Sequence, residues 1–409
     1  MRYAKLLLVL IAAAILTSAG IPAAAASAAS AASAGDSLTV YAGGMALVRT
    51  RIEVILDAGE STVRVDGLPS SFDPSSLMVL DPEVELLGIH GLRSYQDGSR
   101  RGVSVALDLQ ANAAVRDLRV AYLTGGLDWS ASYTLLVDPD DLAARMGGFA
   151  QIGNDSGTDL EQAELQLLAG QISRGGGPGA MYDAMEIRAS VQRAAMAEAP
   201  SMSEQGFAGY HLYTFAQPMS LAAGERRRVR LFPEAGASVS RELRVISDAN
   251  TYDRQVDPER RPVAVRYRVA RPTGSEFGDT PLPQGQVQVM QPDAEGRAQL
   301  LGIASIPDSP AGQELVLPVG VAFDIVAERT QTEFTRVSRD VRTSAWSVQL
   351  RNASDLEVTV EVIERIPGDW KILSSSHTPT ATNARAARFE LTVPAGGSVE
   401  LTYEVQVTD

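Results

Sequence analysis

The chain offers few residues with which to do chemistry. It has no cysteine, which excludes thiolate nucleophiles, thiolate metal sites and disulfides. Its three histidines, His90, His211 and His377, stand far apart, and none has a second imidazole at metal-ligand spacing. Beyond Lys5, the one lysine is Lys371, whose place after Trp370 suits a solvated side chain better than a Schiff base. Carboxylates are plentiful, with 50 Asp and Glu residues, so hydrolysis by a carboxylate pair stays open. Glu364 and Asp369 in "ERIPGDW" lie just before Trp370. "DPDDL" (138–142) and "NDSGTDLE" (154–161) are acidic turns, and neither keeps the spacing of a calcium loop. "RGGGPGA" lacks the Gly-Lys-Ser/Thr ending of a phosphate loop. The chain thus carries no cofactor fingerprint, and the expectation is no catalytic residue, no metal and no cofactor.

The densest aromatic stretch is "GYHLYTF" (209–215). In a strand, His211, Tyr213 and Phe215 share one face, and such a face can stack on a sugar or a peptide. These three are the candidate ligand-binding residues, against the plainer view that a half-buried strand is rich in aromatics. Five of the ten methionines fall between Met181 and Met219 (Met181, Met185, Met196, Met202, Met219). Thioethers suit Cu(I), but methionine also fills irregular interfaces, and the latter is preferred.

What must position these residues is sheet. Helix signals are scarce after residue 36, whereas period-two patterns recur between Gly, Pro and Asp. "DSLTVYAGGMALVRTRIEVIL" reads as two strands around Gly43-Gly44, and "RDLRVAYLTGGLDWSASYTLLVD" as two strands joined at Gly125-Gly126. "GVSVALDLQ" sets Val103, Val105, Leu107 and Leu109 on one face. One turn recurs: "LDAGESTVRV", "SLAAGERRRVRL", "DSPAGQELVL" and "TVPAGGSVELTY" each put Ala-Gly before a strand. Glycine permits the positive φ of a tight turn, and four similar hairpins are expected there. "GERRRVR" (224–230) reads as a solvated edge strand. A longer echo links 147–170 with 346–368: strand, Asn-x-Ser turn, acidic step, second strand. Asn154 and Asn352 match the glycosylation pattern, but turns explain both better. The predicted fold class is all-β: several modules of antiparallel β-sandwich with one Gly/Met/Ala-rich loop or helix insert.

Residues 1–26 show a charged start, an apolar run (Leu6 to Leu16) and Ala-x-Ala sites, the pattern of a secretory signal peptide. The apolar run falls short of the ~20 residues of a membrane span. The expected organisation continues with a flexible Ala/Ser leader (27–36) and a β-rich region (37–172). The Gly/Met/Ala-rich linker or insert (173–208), a second β-rich region (209–342) and an immunoglobulin-like sandwich (343–409) follow. No integral membrane span is expected after signal cleavage. The formal net charge of −14 opposes binding to phosphate backbones, so no nucleic-acid partner is expected.

Together, "LTVYAGGMALVR", "GLDWSASYTLLVD", "YHLYTF", "VAFDIVAERTQTEF" and "VTVEVIERIPGDWKILSSSH", with the closing "LTVPAGGSVELTY", resemble the bacterial exported family labelled domain of unknown function 4139 (DUF4139). The resemblance spans nearly the whole chain after the leader. It implies a β-rich exported protein and brings no catalytic residues with it. In that family's mucoidy-inhibitor-like members the domain follows an N-terminal domain and a coiled coil, and this chain shows no such coiled coil. Trp129, Tyr133 and Trp370 occupy family-like motif positions and are expected to pack. The function expected is a non-enzymatic binding or scaffolding role in the periplasm or at the cell surface of a bacterium. The expected partner is an envelope protein or cell-wall glycan. The alternative is a carboxylate-dependent hydrolase of cell-wall glycan or peptide, which would gather Asp and Glu in a cleft.

Overall fold

A computed structural model describes residues 27–30, 36–97, 100–170, 172, 202–248 and 252–408. The expected signal peptide, residues 31–35 of the leader and residues 173–201 of the insert lie outside the described residues, as do Met181, Met185 and Met196. The described chain is all-β and sandwich-like, built from several multi-stranded sheets. The alternation read from sequence becomes burial: in Leu127–Val137 and Val341–Asn352, every second side chain enters the core. Val103, Val105, Leu107 and Leu109 are all buried on one face of Arg100–Ala111.

Two large apolar cores result. The first runs from Leu38 to Leu317 and includes Trp129, Tyr133, Tyr213 and Phe232. The second surrounds Trp346, Phe389 and Tyr403, and also draws on Leu243, Val263, Val265 and Ile325. Three strands cross from one core to the other: Arg226–Ile246, Glu259–Val269 and Leu315–Arg336. The sandwich around Trp346 therefore includes strands that precede residue 343.

The four Ala-Gly turns are real, with φ of +124° at Gly59, +82° at Gly224, +75° at Gly312 and +61° at Gly396. They are not the hairpins expected. In none of the four do the flanking strands hydrogen-bond to each other among the described residues. Met45–Leu56 pairs with Ser37–Tyr41 and Val115–Gly125, while Gly59–Pro69 beyond the turn pairs in a different sheet. Likewise, Ala386–Val393 pairs with Val358–Arg365 and Ser398–Thr408 pairs with Val341–Asn352. Each turn is an arch whose two strands take other partners, and at Gly59 and Gly224 it carries the chain from one sheet to another. A hairpin and an arch need the same left-handed glycine; only the long-range partner of each strand distinguishes them.

The echo between the two halves is structural. Asn154 Nδ2 donates to the carbonyls of Thr158 and Leu221, and its Oδ1 accepts from the amide and hydroxyl of Ser156. Asn352 Nδ2 donates to the carbonyls of Leu356, Val393 and Pro394, and its Oδ1 accepts from Ser354 in the same two ways. Each turn is also clasped to an Ala-Gly arch. The Gly224 amide donates to Asn154 O at 2.6 Å, and the Gly396 amide donates to Ser354 O at 3.0 Å. Both asparagines are buried in these turns.

Candidate functional site

The feature of this fold most open to a partner is a strand edge. Ala298–Ile306 hydrogen-bonds to Gly285–Pro292 on one side and ends the largest sheet on the other. Its sequence, "AQLLGIASI", has no charge and no proline, the devices that usually blunt free edges. Leu300 and Ile303 are each more than half exposed, with Leu301 beside them. Gly302 lets this strand press against Leu315–Arg336: a Cβ there would collide with the Val319 carbonyl. The neighbouring strand adds Val316, Val321 and Phe323 to the exposed apolar set. Phe323 is 94% exposed. It sits where the register between Glu259–Val269 and Leu315–Arg336 shifts, between the Pro262–Val326 and Ala264–Val321 pairs. A bulge of this kind turns a side chain out of the sheet. By contrast, Arg226 to Arg230 pair on one side with Phe149–Gly153 and carry the expected solvated arginines. Asp155 holds Arg226 at 2.8 Å, and Arg228 lies over the Phe149 ring.

The candidate aromatic face is mostly closed. Tyr210–Phe215 is a strand, paired with Met202–Phe207 through an Ala208-Gly209 turn and with Leu160–Ala169 on its other side. The last residues of the Gly/Met/Ala-rich segment are thus strand. His211, Tyr213 and Phe215 do share a face, but it turns into the core. Tyr213 is 2% exposed, its hydroxyl donates to Pro281 O, and its ring lies tilted against Trp129. Burial, with Glu204 adding to it, holds its phenol above the usual range. His211 is half-buried and bonds Glu204 at 2.7 Å. Phe215 is half-buried and lines a groove of about 540 Å³ with Met219, Arg227 and Arg230. The three do not form one open stacking surface.

Several of the carboxylates singled out from sequence are engaged by the protein itself. Asp155 bonds Arg226, and Asp159 accepts from the Ala223 amide. Glu364 and Asp369 do not converge: Asp369 is exposed, whereas Glu364 is 1% exposed inside the second core. There Glu364 accepts from Arg329 at 3.0 Å and from the Tyr252 hydroxyl at 2.8 Å. Tyr252 meets the Tyr403 hydroxyl at 2.8 Å, and the Arg329 guanidinium lies 3.3 Å from the centre of the Trp346 ring. Burial alone would lower the Arg329 pKa, but Glu364, Tyr403 and Tyr252 together outweigh it and raise it. Burial, reinforced by Glu364, pushes the phenols of Tyr252 and Tyr403 well up. This cluster is a buried polar centre whose rim is Glu259, 3.6 Å from Arg329. Among the described residues, burial lifts the Asp36 carboxyl to about 6, opposed by a hydrogen bond from Thr50.

The motif residues Trp129 and Tyr133 pack, as expected. Trp129 donates to Leu168 O, Tyr133 donates to Pro283 O, and both rings are buried. Trp370 braces a hairpin by donating to Ala384 O at 2.9 Å. These residues, with the exposed Phe323, fall within residues 118–408, which match the family model described as Domain of unknown function (DUF4139).

The chain belongs to the DUF4139 family.

No curated protein matches it. The DUF4139 match opens inside the strand Val115–Gly125 and takes in the second core, the part of the first core from Leu118 onward, the apolar edge and the buried polar centre. The apolar edge escaped sequence reading because Leu300, Leu301 and Ile303 look like an ordinary strand. Only the topology shows that this strand hydrogen-bonds to a single neighbour, with Val319 of Leu315–Arg336 packed against it at Gly302.

Proposed function

We propose that this DUF4139 protein is exported to a bacterial envelope and works by binding, through the uncharged edge of Ala298–Ile306, a polypeptide partner that adds a strand. The apolar strand beside Phe323, hydrogen-bonded on one side only among the described residues, carries this reading. Backbone groups on a free edge supply hydrogen bonds, and Leu300, Ile303 and Phe323 supply apolar area. Export rests on the leader pattern of residues 1–26. Among the described residues, no helix is long and apolar enough to cross a membrane. The hydrolase alternative calls for carboxylates gathered in a cleft. The grooves at Arg244–Arg388 and at Phe215–Arg230 are lined by arginines without a carboxylate, and the one at Trp129 holds the single carboxylate Asp308.

The test is a photo-crosslinking amino acid placed at Leu301 or Phe323, in the protein expressed with its leader in a bacterial host. Adducts are sized and sequenced from the envelope fraction. A discrete protein adduct, lost when Ile303→Lys is added and absent from a probe at exposed Tyr95, supports the reading. Adducts of glycan alone, or the same adducts from the Tyr95 probe, sink it.

A further inference from the structure

We infer that a groove on the outer face of the C-terminal sheet binds an acidic polypeptide segment bearing aliphatic side chains. This surface is separate from the 298–306 edge and stands or falls independently of it.

The groove has a volume of about 1020 Å³. Its lining includes Arg244, Arg365, Arg385 and Arg388, with Ile246 and Ile363 among its apolar residues. The arginines come together because Leu243–Ile246 pairs in parallel with Val360–Ile363, which pairs in turn with Leu391–Arg388. Even-numbered residues of the first strand and odd-numbered residues of the second then face outward. Arg244, Ile246, Ile363 and Arg365 thus share one surface, where Arg388 joins them opposite Ile363.

One carboxylate serves two of these guanidinia. Glu361 bonds Arg244, and it holds Arg388 at 2.7 Å. Arg365 and Arg385 are exposed, and neither side chain has a carboxylate partner among the described residues. Positive charge is therefore concentrated in a chain whose net charge is −14. The site is also built rather than accidental. The Ile366 amide donates to Arg385 O at 2.7 Å and the Arg365 amide to Ser247 Oγ at 3.0 Å. The Arg385 amide donates to Asn383 Oδ1 at 2.8 Å, and Trp370 braces the same turn through Ala384 O. The backbone that carries the two free guanidinia is fixed before any ligand arrives, which lowers the entropy lost on binding.

The chemistry of the lining selects the ligand. A guanidinium fork matches a carboxylate with two parallel hydrogen bonds. The apolar part of the lining is aliphatic and contains no aromatic ring, so it suits Leu, Ile or Val and offers nothing for a sugar face to stack on. The surface is concave, which favours an inserted segment over a flat anionic bilayer.

The test uses the full chain and a fluorescein-labelled octapeptide of alternating glutamate and leucine, read by fluorescence anisotropy. The peptide should bind, and binding should weaken as salt rises. R365E/R385E should weaken it at least about tenfold, the effect of losing charge-assisted hydrogen bonds. The control R116E/R339E makes the same charge change at exposed positions elsewhere and should leave binding intact. Both double variants must keep the wild-type melting temperature; if R365E/R385E does not, R385E alone, at a hairpin tip, replaces it. Four results overturn the inference: no binding of the Glu-Leu peptide, equal binding of a Gln-Leu peptide, equal loss in the two double variants, or preferential binding to phosphatidylglycerol vesicles.

Discussion

At the scale of residues, the most constrained group is the ion pair inside the second core. Arg329 and Glu364 are each 1% exposed and hydrogen-bonded to each other at 3.0 Å. Removing Glu364 leaves the buried Arg329 guanidinium to the more distant, half-buried Glu259 carboxylate at 3.6 Å, in a medium that solvates it poorly, at a cost of about 3–5 kcal/mol. Glu364→Ala should therefore lower unfolding stability by that amount in urea titration. Arg329→Met with Glu364→Leu removes both charges and should recover most of the loss, because replacing a whole buried pair by apolar residues is often near neutral. A double variant no more stable than Glu364→Ala would mean that Tyr252 and Tyr403, which also bond within this cluster, set its stability. Sequence could flag Glu364 as a carboxylate near Trp370. It could not show the carboxylate turning inward, because that depends on Arg329 arriving from a strand 35 residues earlier.

At the scale of elements, turns were legible and their connectivity was not. The strands around Gly43-Gly44 and Gly125-Gly126, and the alternation at 103–109, follow from local patterns that the structure keeps. Whether an Ala-Gly turn closes a hairpin or an arch depends on strands far along the chain, as with Ser398–Thr408, which pairs with Val341–Asn352. The same reason hid the arginine groove. Arg244 and Arg365 are neighbours only through a parallel pairing that leaves no mark near either residue. The arches make a matched prediction. Gly396 has φ +61° with open space where a Cβ would go, so Gly396→Ala meets backbone strain and no clash. It should cost about 1–2 kcal/mol. Gly236, also with open space but without positive φ, should tolerate alanine at no cost or with a small gain. Thermal melts of the two variants compare them directly. If both lose stability equally, the left-handed conformation at Gly396 is not what the arch requires.

At the scale of the whole molecule, the two cores are joined by continuous backbone and not by a linker. Arg226–Ile246 places Leu231 and Phe232 in the first core and Leu243 and Val245 in the second. Glu259–Val269 and Leu315–Arg336 divide their buried residues in the same way. A strand cannot lose its register in one core without loosening its pairing in the other, so the cores should unfold together. The three tryptophans allow this to be read site by site. Trp129 reports on the first core and Trp346 on the second. Variants that keep only one of them, with phenylalanine at the other two tryptophans, should show urea midpoints that move together when Phe389→Ala opens a cavity in the second core. That substitution should cost about 3–5 kcal/mol. Two separate transitions, with Trp129 indifferent to Phe389→Ala, would mean that the long strands bend at the boundary and transmit nothing. Coupled unfolding has a consequence for binding: a ligand in the arginine groove, on the outer face of the second core, would raise the stability reported by Trp129 as well as by Trp346.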